Sequence, residues 1–200
     1  MILINPKTIP FLPIFGLIKD PRLREFAKRA VEDLPNYFFE IPASSSGKYH
    51  SENDRRVGGL VHHTKAAVFS FLDIHRTNIF ELFDEEVDLG IIALLVHDGL
   101  KNGKENTGRT TADHPLTASK FIRELAVPYE VELTRDEMDV VTRAIERHSG
   151  QWVNDYQGNK ILTEPKTPLE KAVHLADYIA SRKYIEIQLG LINVADYATN

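Results

Sequence analysis

Helical periodicity interrupted by helix-capping signals is the feature that most constrains the fold of this chain. Asp20-Pro21 places a capping carboxylate before a proline, and apolar residues then recur at helical spacing up to Leu34. Thr134 and Thr167 each stand three residues before a glutamate, which is the capping-box pattern. Strand signals are few, so the sequence predicts an all-α domain.

The pattern predicts a single bundle of six main helices and a short seventh. The predicted helices cover about residues 20–34, 60–76, 87–96, 112–126, 134–148, 167–182 and 186–194. Two polar loops, 99–111 and 150–166, carry the Gly- and Asn-rich turn chemistry between them. Residues 1–19 are apolar but contain three prolines, so we expect an extended arm packed on the surface of a domain that spans 20–200.

Composition and charge exclude several classes of protein. The 200 residues include no cysteine, which excludes disulfides and thiolate chemistry, and the net charge of −5 argues against a protein that coats duplex nucleic acid by charge alone. Prolines interrupt any signal-peptide core, and no apolar run approaches the ~20 residues of a membrane span. We therefore expect a cytoplasmic protein without membrane contact.

The apolar run 91–96 leads directly into His97-Asp98, which Gly99 and a polar loop follow. An imidazole and a carboxylate at the end of a helix can converge on one divalent cation. These donors suit Mn, Fe, Co, Ni or Zn, and carboxylates also admit Mg. Because the dipeptide is common by chance, a solvated histidine beside a capping aspartate is the alternative, and the choice depends on ligand-type residues elsewhere.

Four other segments supply such residues in order along the chain. These four segments are GGLVHHT (58–64), ADHPL (112–116), ERHSG (146–150) and HLAD (174–177), and HDGLK (97–101) is the fifth member of the set. The set resembles the HD-domain superfamily of metal-dependent phosphohydrolases, over about residues 58–182. In motif detail it is most similar to the HD domain of bacterial 3′–5′ exoribonucleases. Superfamily members that cleave cyclic dinucleotides have two adjacent histidines where this chain has His148-Ser149, which argues against that branch.

The resemblance implies two groups of metal ligands. The first ion would be held by His63, His97, Asp98 and Asp177, and a possible second ion by His114 and His148 with Asp98 shared. The family motif favours His63 over His62, a choice that helix geometry leaves open. His114 and His148 are alternatively contacts to substrate.

The same resemblance implies roles for several further residues. Lys101 is expected to meet a substrate phosphate, with weaker substrate contacts at Arg182, Lys48 and His174. His174 stands three residues before Asp177, so both side chains lie on the same face of the helix. An alternative role for His174 is to orient the Asp177 carboxylate. Lys48 and His50 belong to a loop, 42–56, that either lines the substrate mouth or lies exposed on the surface.

The implied reaction is hydrolysis of a phosphoester, with a nucleotide or a related small phosphorylated compound as substrate. A divalent ion lowers the pKa of water from about 15.7 toward neutrality, and a second ion clamps a phosphoryl oxygen. Asp98 would orient the water, and Lys101 would neutralise charge on a non-bridging oxygen.

A single-strand 3′–5′ exonuclease is one alternative function, although an aromatic-rich basic groove is missing from the sequence. A non-catalytic nucleotide-binding module is the other, although all six ligand residues are present. The sequence leaves the oligomeric state open.

Overall fold

The structure, a computed structural model, describes residues 5–44 and 50–198, and this part of the chain is all-helical, as predicted. The α-helices are α1 (Leu12–Phe15), α2 (Pro21–Asp33), α3 (Gly59–Arg76), α4 (Asp84–Val96), α5 (His114–Glu124), α6 (Arg135–Arg147), α7 (Pro168–Ala180) and α8 (Ala195–Ala198). In the described ranges the only β pairing is an isolated bridge between Asn154 and Lys160.

Three predicted helix starts, those with capping signals, are confirmed, whereas α4 and α5 begin at Asp84 and His114 and not at about 87 and 112. The Asp20 carboxylate accepts a hydrogen bond from the backbone N–H of Arg22 at 2.7 Å, and Thr134 and Thr167 each form a complete capping box. The predicted helix over 186–194 is wrong in extent. The chain there forms only a 3-10 turn, Leu189–Leu191, before the short helix α8.

Helix α4 forms the centre of the bundle. Every residue from Val87 to Val96 is buried, and α4 packs against α2, α3, α6 and α7. A helix that is apolar around its whole circumference belongs in an interior. Its one buried carboxylate, Asp88, accepts hydrogen bonds from the backbone N–H groups of Lys19 and Asp20 at 2.9 and 2.8 Å. The C-terminal end of α4 therefore faces other helices.

Residues 5–19 do not form the extended surface arm that the sequence suggested. Residues Pro6–Phe11 form a 3-10 helix, α1 follows, and the side chains of Phe11, Ile14 and Ile18 are fully buried in the core. Lys7 Nζ donates hydrogen bonds to the backbone carbonyl oxygens of Glu32 and Leu34 at 3.0 and 2.5 Å, where α2 ends.

Proline position explains the error. Pro6 and Pro13 occupy the first two positions of their helices, where the missing N–H has no helical partner to lose. Pro10 lies inside the 3-10 helix, which ends one residue later at Phe11, so the prolines did not prevent short helical turns.

No helix in the described ranges combines the length and the apolar character that crossing a membrane requires.

Candidate metal centre

The C-terminal end of α4 carries His97 as its cap residue, with Asp98 next in the chain, and both side chains are buried. His97 Nδ1 lies 2.6 Å from the carbonyl oxygen of Leu94, so the Nδ1–H donates to that oxygen. The lone pair of His97 is then on Nε2, which is buried without a hydrogen-bond partner. This nitrogen lies 3.6 Å from Asp98 Oδ2.

Helix α3 brings His63, and not His62, to this point. His63 Nε2 lies 2.9 Å from Asp177 Oδ1 and 3.7 Å from Asp98 Oδ2. The ring of His62 turns the other way, and its Nδ1 lies 2.7 Å from Asp54 Oδ1. The structure therefore places in the cluster the histidine that the family motif selected.

Two glycines at the start of α3 fix this choice of face. Gly58 has φ of 75°, in the left-handed region, and a Cβ on Gly59 would lie 2.1 Å from the carbonyl oxygen of Asp54. The preceding turn can therefore pack directly on the first residues of the helix. Because the Asp54 side chain then holds His62, the next residue, His63, faces the interior.

Helix α7 supplies Asp177, the most exposed of the predicted ligands, with 19% of its side chain accessible. Its Oδ1 also lies 3.4 Å from His97 Nε2. Burial raises the pKa of Asp177, but the hydrogen bond to His63 and the nearby imidazoles of His63 and His97 outweigh burial and hold it well below the ordinary value. Asp177 is thus an anion at the open side of the cluster.

The two histidines predicted for a second ion lie on the other side of Asp98. His114, the first residue of α5, places Nε2 3.1 Å from Asp98 Oδ1, and His148, the cap residue of α6, places Nε2 3.8 Å from the same oxygen. Their Nδ1 atoms lie 2.6 and 2.7 Å from the carbonyl oxygens of Thr111 and Ile145, three residues earlier in each case. His97, His114 and His148 therefore share one tautomer, with the lone pair of Nε2 directed inward.

The donor set fits a divalent metal ion. Three groups have ligand atoms within 4.8 Å of one another: His63–His97–Asp98, His97–His148–Asp177 and Asp98–His114–His148. The Nε2 atoms of His114 and His148 lie only 3.3 Å apart, and Asp98 Oδ1 is buried without a hydrogen-bond partner. Lone pairs that converge in this way repel each other unless a cation or a proton lies between them. Imidazole nitrogens and carboxylate oxygens are ligands that borderline divalent ions accept.

Electrostatics favour positive charge at the centre of the cluster. Burial raises the pKa of Asp98, but Lys101, His97 and His114 outweigh burial and hold it well below the ordinary value. Burial lowers the pKa of His97, yet the charges of Asp98 and Asp177 dominate and raise it. Burial, with the charge of His97, lowers the pKa of His148 to about 3, so this imidazole is neutral near pH 7.

Four residues were predicted to contact substrate, and among the three that the structure describes only Lys101 has its charged group in contact with a side chain of the cluster. Lys101 is buried, and its ammonium group donates to Asp98 Oδ2. Arg182 lies over the ring of Tyr178, with Cζ 4.1 Å from the ring centroid. Lys48 lies outside the described residues. His174 Nδ1 lies 2.7 Å from the carbonyl oxygen of His148, so His174 supports the His148 backbone, and this hydrogen bond does not go to Asp177 as suggested.

Sequence reasoning gave too little weight to two features beside the cluster. His50, placed only in a loop, packs its ring edge-on against His63 with centroids 5.3 Å apart, and burial lowers its pKa to about 3. Trp152 stacks on Tyr178, with ring centroids 5.9 Å apart and an interplanar angle of 13°. The four-residue spacing of Tyr178, on α7, and Arg182, just after its end, could be read from the sequence. The return of the loop 150–166 to this helix could not.

No protein-family model, curated protein or solved structure matches the chain. The arrangement of the buried histidines and aspartates is therefore the main guide to function. The likeness of the motifs to HD domains is the second guide.

Proposed function

We propose that this protein is a metal-dependent phosphohydrolase of the HD-domain superfamily, acting on a nucleotide or a related small phosphoester. The observation that carries the proposal is the position of the Asp98 carboxylate between two sets of ligands. Oδ2 faces His63 and His97, and Oδ1 faces His114 and His148. A carboxylate with donors grouped around both of its oxygens could help to hold two divalent ions.

When bound, divalent ions would supply Lewis acidity, which provides hydroxide near neutral pH and stabilises charge on a phosphoryl oxygen. The first ion would be held by His63, His97, Asp98 and Asp177, and the second by Asp98, His114 and His148. The protein prepares these ligands through hydrogen bonds from Nδ1 to backbone carbonyls, which fix the tautomer and the orientation of each ring.

Asp98 and Lys101 are the residues to which we assign direct roles in the reaction. Asp98 is an anion in the buried cluster, and its carboxylate can accept a hydrogen bond from the attacking water and orient it. Lys101 is a compact positive charge held against that carboxylate, within reach of a phosphoryl oxygen placed at the cluster. Both groups act through charge and position, which is what phosphoryl transfer mainly requires.

A cavity of about 520 Å³ beside His114 offers space for a phosphorylated substrate. Its lining consists of Thr107, Arg109, Thr110, Thr111, Ala112 and Tyr156. Thr111 connects the cavity to the cluster, because its carbonyl oxygen accepts the Nδ1–H of His114. The Arg109 guanidinium and the hydroxyl groups of Thr110 and Thr111 are donors suited to phosphate and ribose oxygens.

Metal content and hydrolysis measured on the same sample test the proposal. Protein stripped with a chelator would be reloaded with Mn²⁺, Mg²⁺, Zn²⁺, Co²⁺, Ni²⁺ or Fe²⁺ and assayed with nucleotides and with a generic nitrophenyl phosphoester. We expect activity that depends on metal and falls more than about 100-fold in Asp98→Asn. The exposed Asp136→Asn is the matched control. Equal activity in the stripped protein, or in Asp98→Asn, would contradict the proposal.

A labelled oligonucleotide in the same assay tests the exonuclease alternative. A ladder of products shortened from the 3′ end would favour the nuclease, and an intact strand would favour the small phosphoester. Tight binding of a nucleotide without turnover in any of these metals would favour the non-catalytic module.

A further inference from the structure

An aromatic stack lies beside the metal cluster and takes no part in holding it. Trp152 follows the ligand His148 by four residues, and Tyr178 follows the ligand Asp177 directly. Their rings are almost parallel, at 13°, with centroids 5.9 Å apart. Arg182, four residues after Tyr178 and just beyond the end of α7, places its guanidinium carbon 4.1 Å from the Tyr178 ring centroid.

The turn that leaves the ligand His148 also positions Trp152. Gly150 has φ of 65°, and its backbone packs so closely on the His174 ring that a Cβ would lie 2.1 Å from it. The backbone N–H of Trp152 then donates to the carbonyl oxygen of Ser149 at 3.2 Å. The location of the tryptophan is thus set by the same segment that carries His148.

Trp152 keeps a large exposed surface despite these contacts. Its side chain packs on Tyr178, and its ring centroid is 6.3 Å from that of His174, yet 53% of the residue is exposed. An indole that covers Tyr178 with one face and remains half accessible presents its other face to solvent. The ring of His174 borders this surface, and Arg182 adds a positive charge on the neighbouring ring of Tyr178.

We propose that Trp152 is the stacking surface for the base of a nucleotide whose phosphate lies at the metal cluster. The proposal rests on the proposed function, because the position of the phosphate comes from it. Every base has a π-face, so the platform selects for a nucleobase without selecting strongly among the four bases. Loss of one stacked base corresponds to about a 5- to 100-fold loss in affinity.

Intrinsic fluorescence gives a direct test, because Trp152 is the single tryptophan of the chain. The four nucleoside 5′-monophosphates and ribose 5-phosphate would each be titrated into the full chain in the presence of Mg²⁺. We expect the nucleotides to quench the fluorescence and ribose 5-phosphate, which lacks a base, to leave it nearly unchanged. Equal quenching by ribose 5-phosphate, or none by any nucleotide, would overturn the proposal.

Variants separate stacking from a structural role. In calorimetric titrations we expect Trp152→Ala to weaken nucleotide binding about 5- to 100-fold and to leave ribose 5-phosphate binding unchanged, whereas Trp152→Phe retains most of the affinity. Tyr129→Ala, at another exposed aromatic residue, is the control. An equal loss for both ligands in Trp152→Ala would assign Trp152 a structural role and overturn the platform.

The outcomes also separate this proposal from the proposed function. Selective quenching by nucleotides without any hydrolysis would support the platform and contradict the hydrolase. If Trp152→Ala hydrolysed nucleotides and bound them with wild-type affinity, this would support the hydrolase and contradict the role of Trp152 in stacking. Quenching by a single-stranded oligonucleotide but by no mononucleotide would overturn the assignment of the platform to a mononucleotide.

Discussion

Asp98 Oδ1 lies 3.1 Å from His114 Nε2, on the side of the carboxylate away from the oxygen that faces His63. The two oxygens of one side chain therefore serve separate groups of ligands. Because Asp98 is buried next to the central helix α4, its carboxylate cannot turn to solvent. Because each oxygen of Asp98 serves its own group of ligands, a substitution in one group should leave metal binding by the other group intact.

His114→Ala should reduce the number of bound Mn²⁺ ions from two to one per chain. The substitution removes a ligand from the Oδ1 side alone, so the ion beside His63 and Asp177 should remain. Without the second ion we expect hydrolysis to slow by at least about 100-fold. Elemental analysis and steady-state kinetics check both effects, with His75→Ala as the control at the far end of α3. Two ions retained in His114→Ala would show that His114 is not a ligand.

His62→Ala and His63→Ala should have opposite effects, although the residues are neighbours. His63→Ala removes a cluster nitrogen 2.9 Å from Asp177, so bound metal and activity should be lost. His62→Ala should retain the metal but leave the buried Asp54 carboxylate without its 2.7 Å partner, at about 1–3 kcal/mol of stability. Elemental analysis and urea unfolding distinguish the two variants. Metal loss in His62→Ala alone would reverse the assignment.

Local signals in the sequence predicted most of the helices. The caps at Asp20, Thr134 and Thr167 depend on neighbouring residues only, and the structure has the corresponding helices. The prediction of an extended arm was wrong because Pro6 and Pro13 lie in the first turn of short helices, where proline is tolerated, and this depends on where each helix starts. That start is set here by packing of Phe11 and Ile14 in the core.

The residues of the candidate site were predicted from their order in the sequence, but their contacts were not. Periodicity cannot tell that the Nδ1 of His97 bonds to Leu94, or that His174 bonds to the backbone of His148. The stack of Trp152 on Tyr178 depends on the path of the loop 150–166. These are long-range consequences of how the helices and loops pack.

Gly150→Ala should destabilise the protein more than Gly158→Ala does. Both glycines have positive φ, so each substitution incurs a conformational cost of about 1–2 kcal/mol. A Cβ at Gly158 meets nothing within 4 Å, whereas one at Gly150 would overlap the His174 ring and add about 1–3 kcal/mol. Urea unfolding measures the difference. Displacement of His174 should also weaken metal binding in Gly150→Ala alone, and equal stabilities would contradict the packing.

Glu170→Gln should lower the free energy of unfolding by about 2 kcal/mol at pH 7, and this effect should vanish in acid. The buried Glu170 carboxylate accepts two hydrogen bonds from Arg147, at 2.8 and 2.7 Å, and one from the backbone N–H of Lys166 at 2.6 Å. Burial raises the pKa of Glu170, but these hydrogen bonds outweigh burial and lower it below the ordinary 4.5.

A carboxylate with a lowered pKa in the folded state contributes stability that is complete above its unfolded pKa and is lost as the pH falls through its folded pKa. Glutamine resembles the protonated acid in shape and charge, so the difference in stability between the two proteins should shrink progressively as the pH falls below the unfolded pKa of about 4.3. Urea unfolding of Glu170→Gln and of wild type between pH 3 and pH 7 measures this convergence. The exposed Glu130→Gln should leave the unfolding free energy unchanged throughout, because that side chain lies on the surface. A constant difference between wild type and Glu170→Gln over this range would mean that packing, and not the charge of Glu170 beside Arg147, joins α6 to α7.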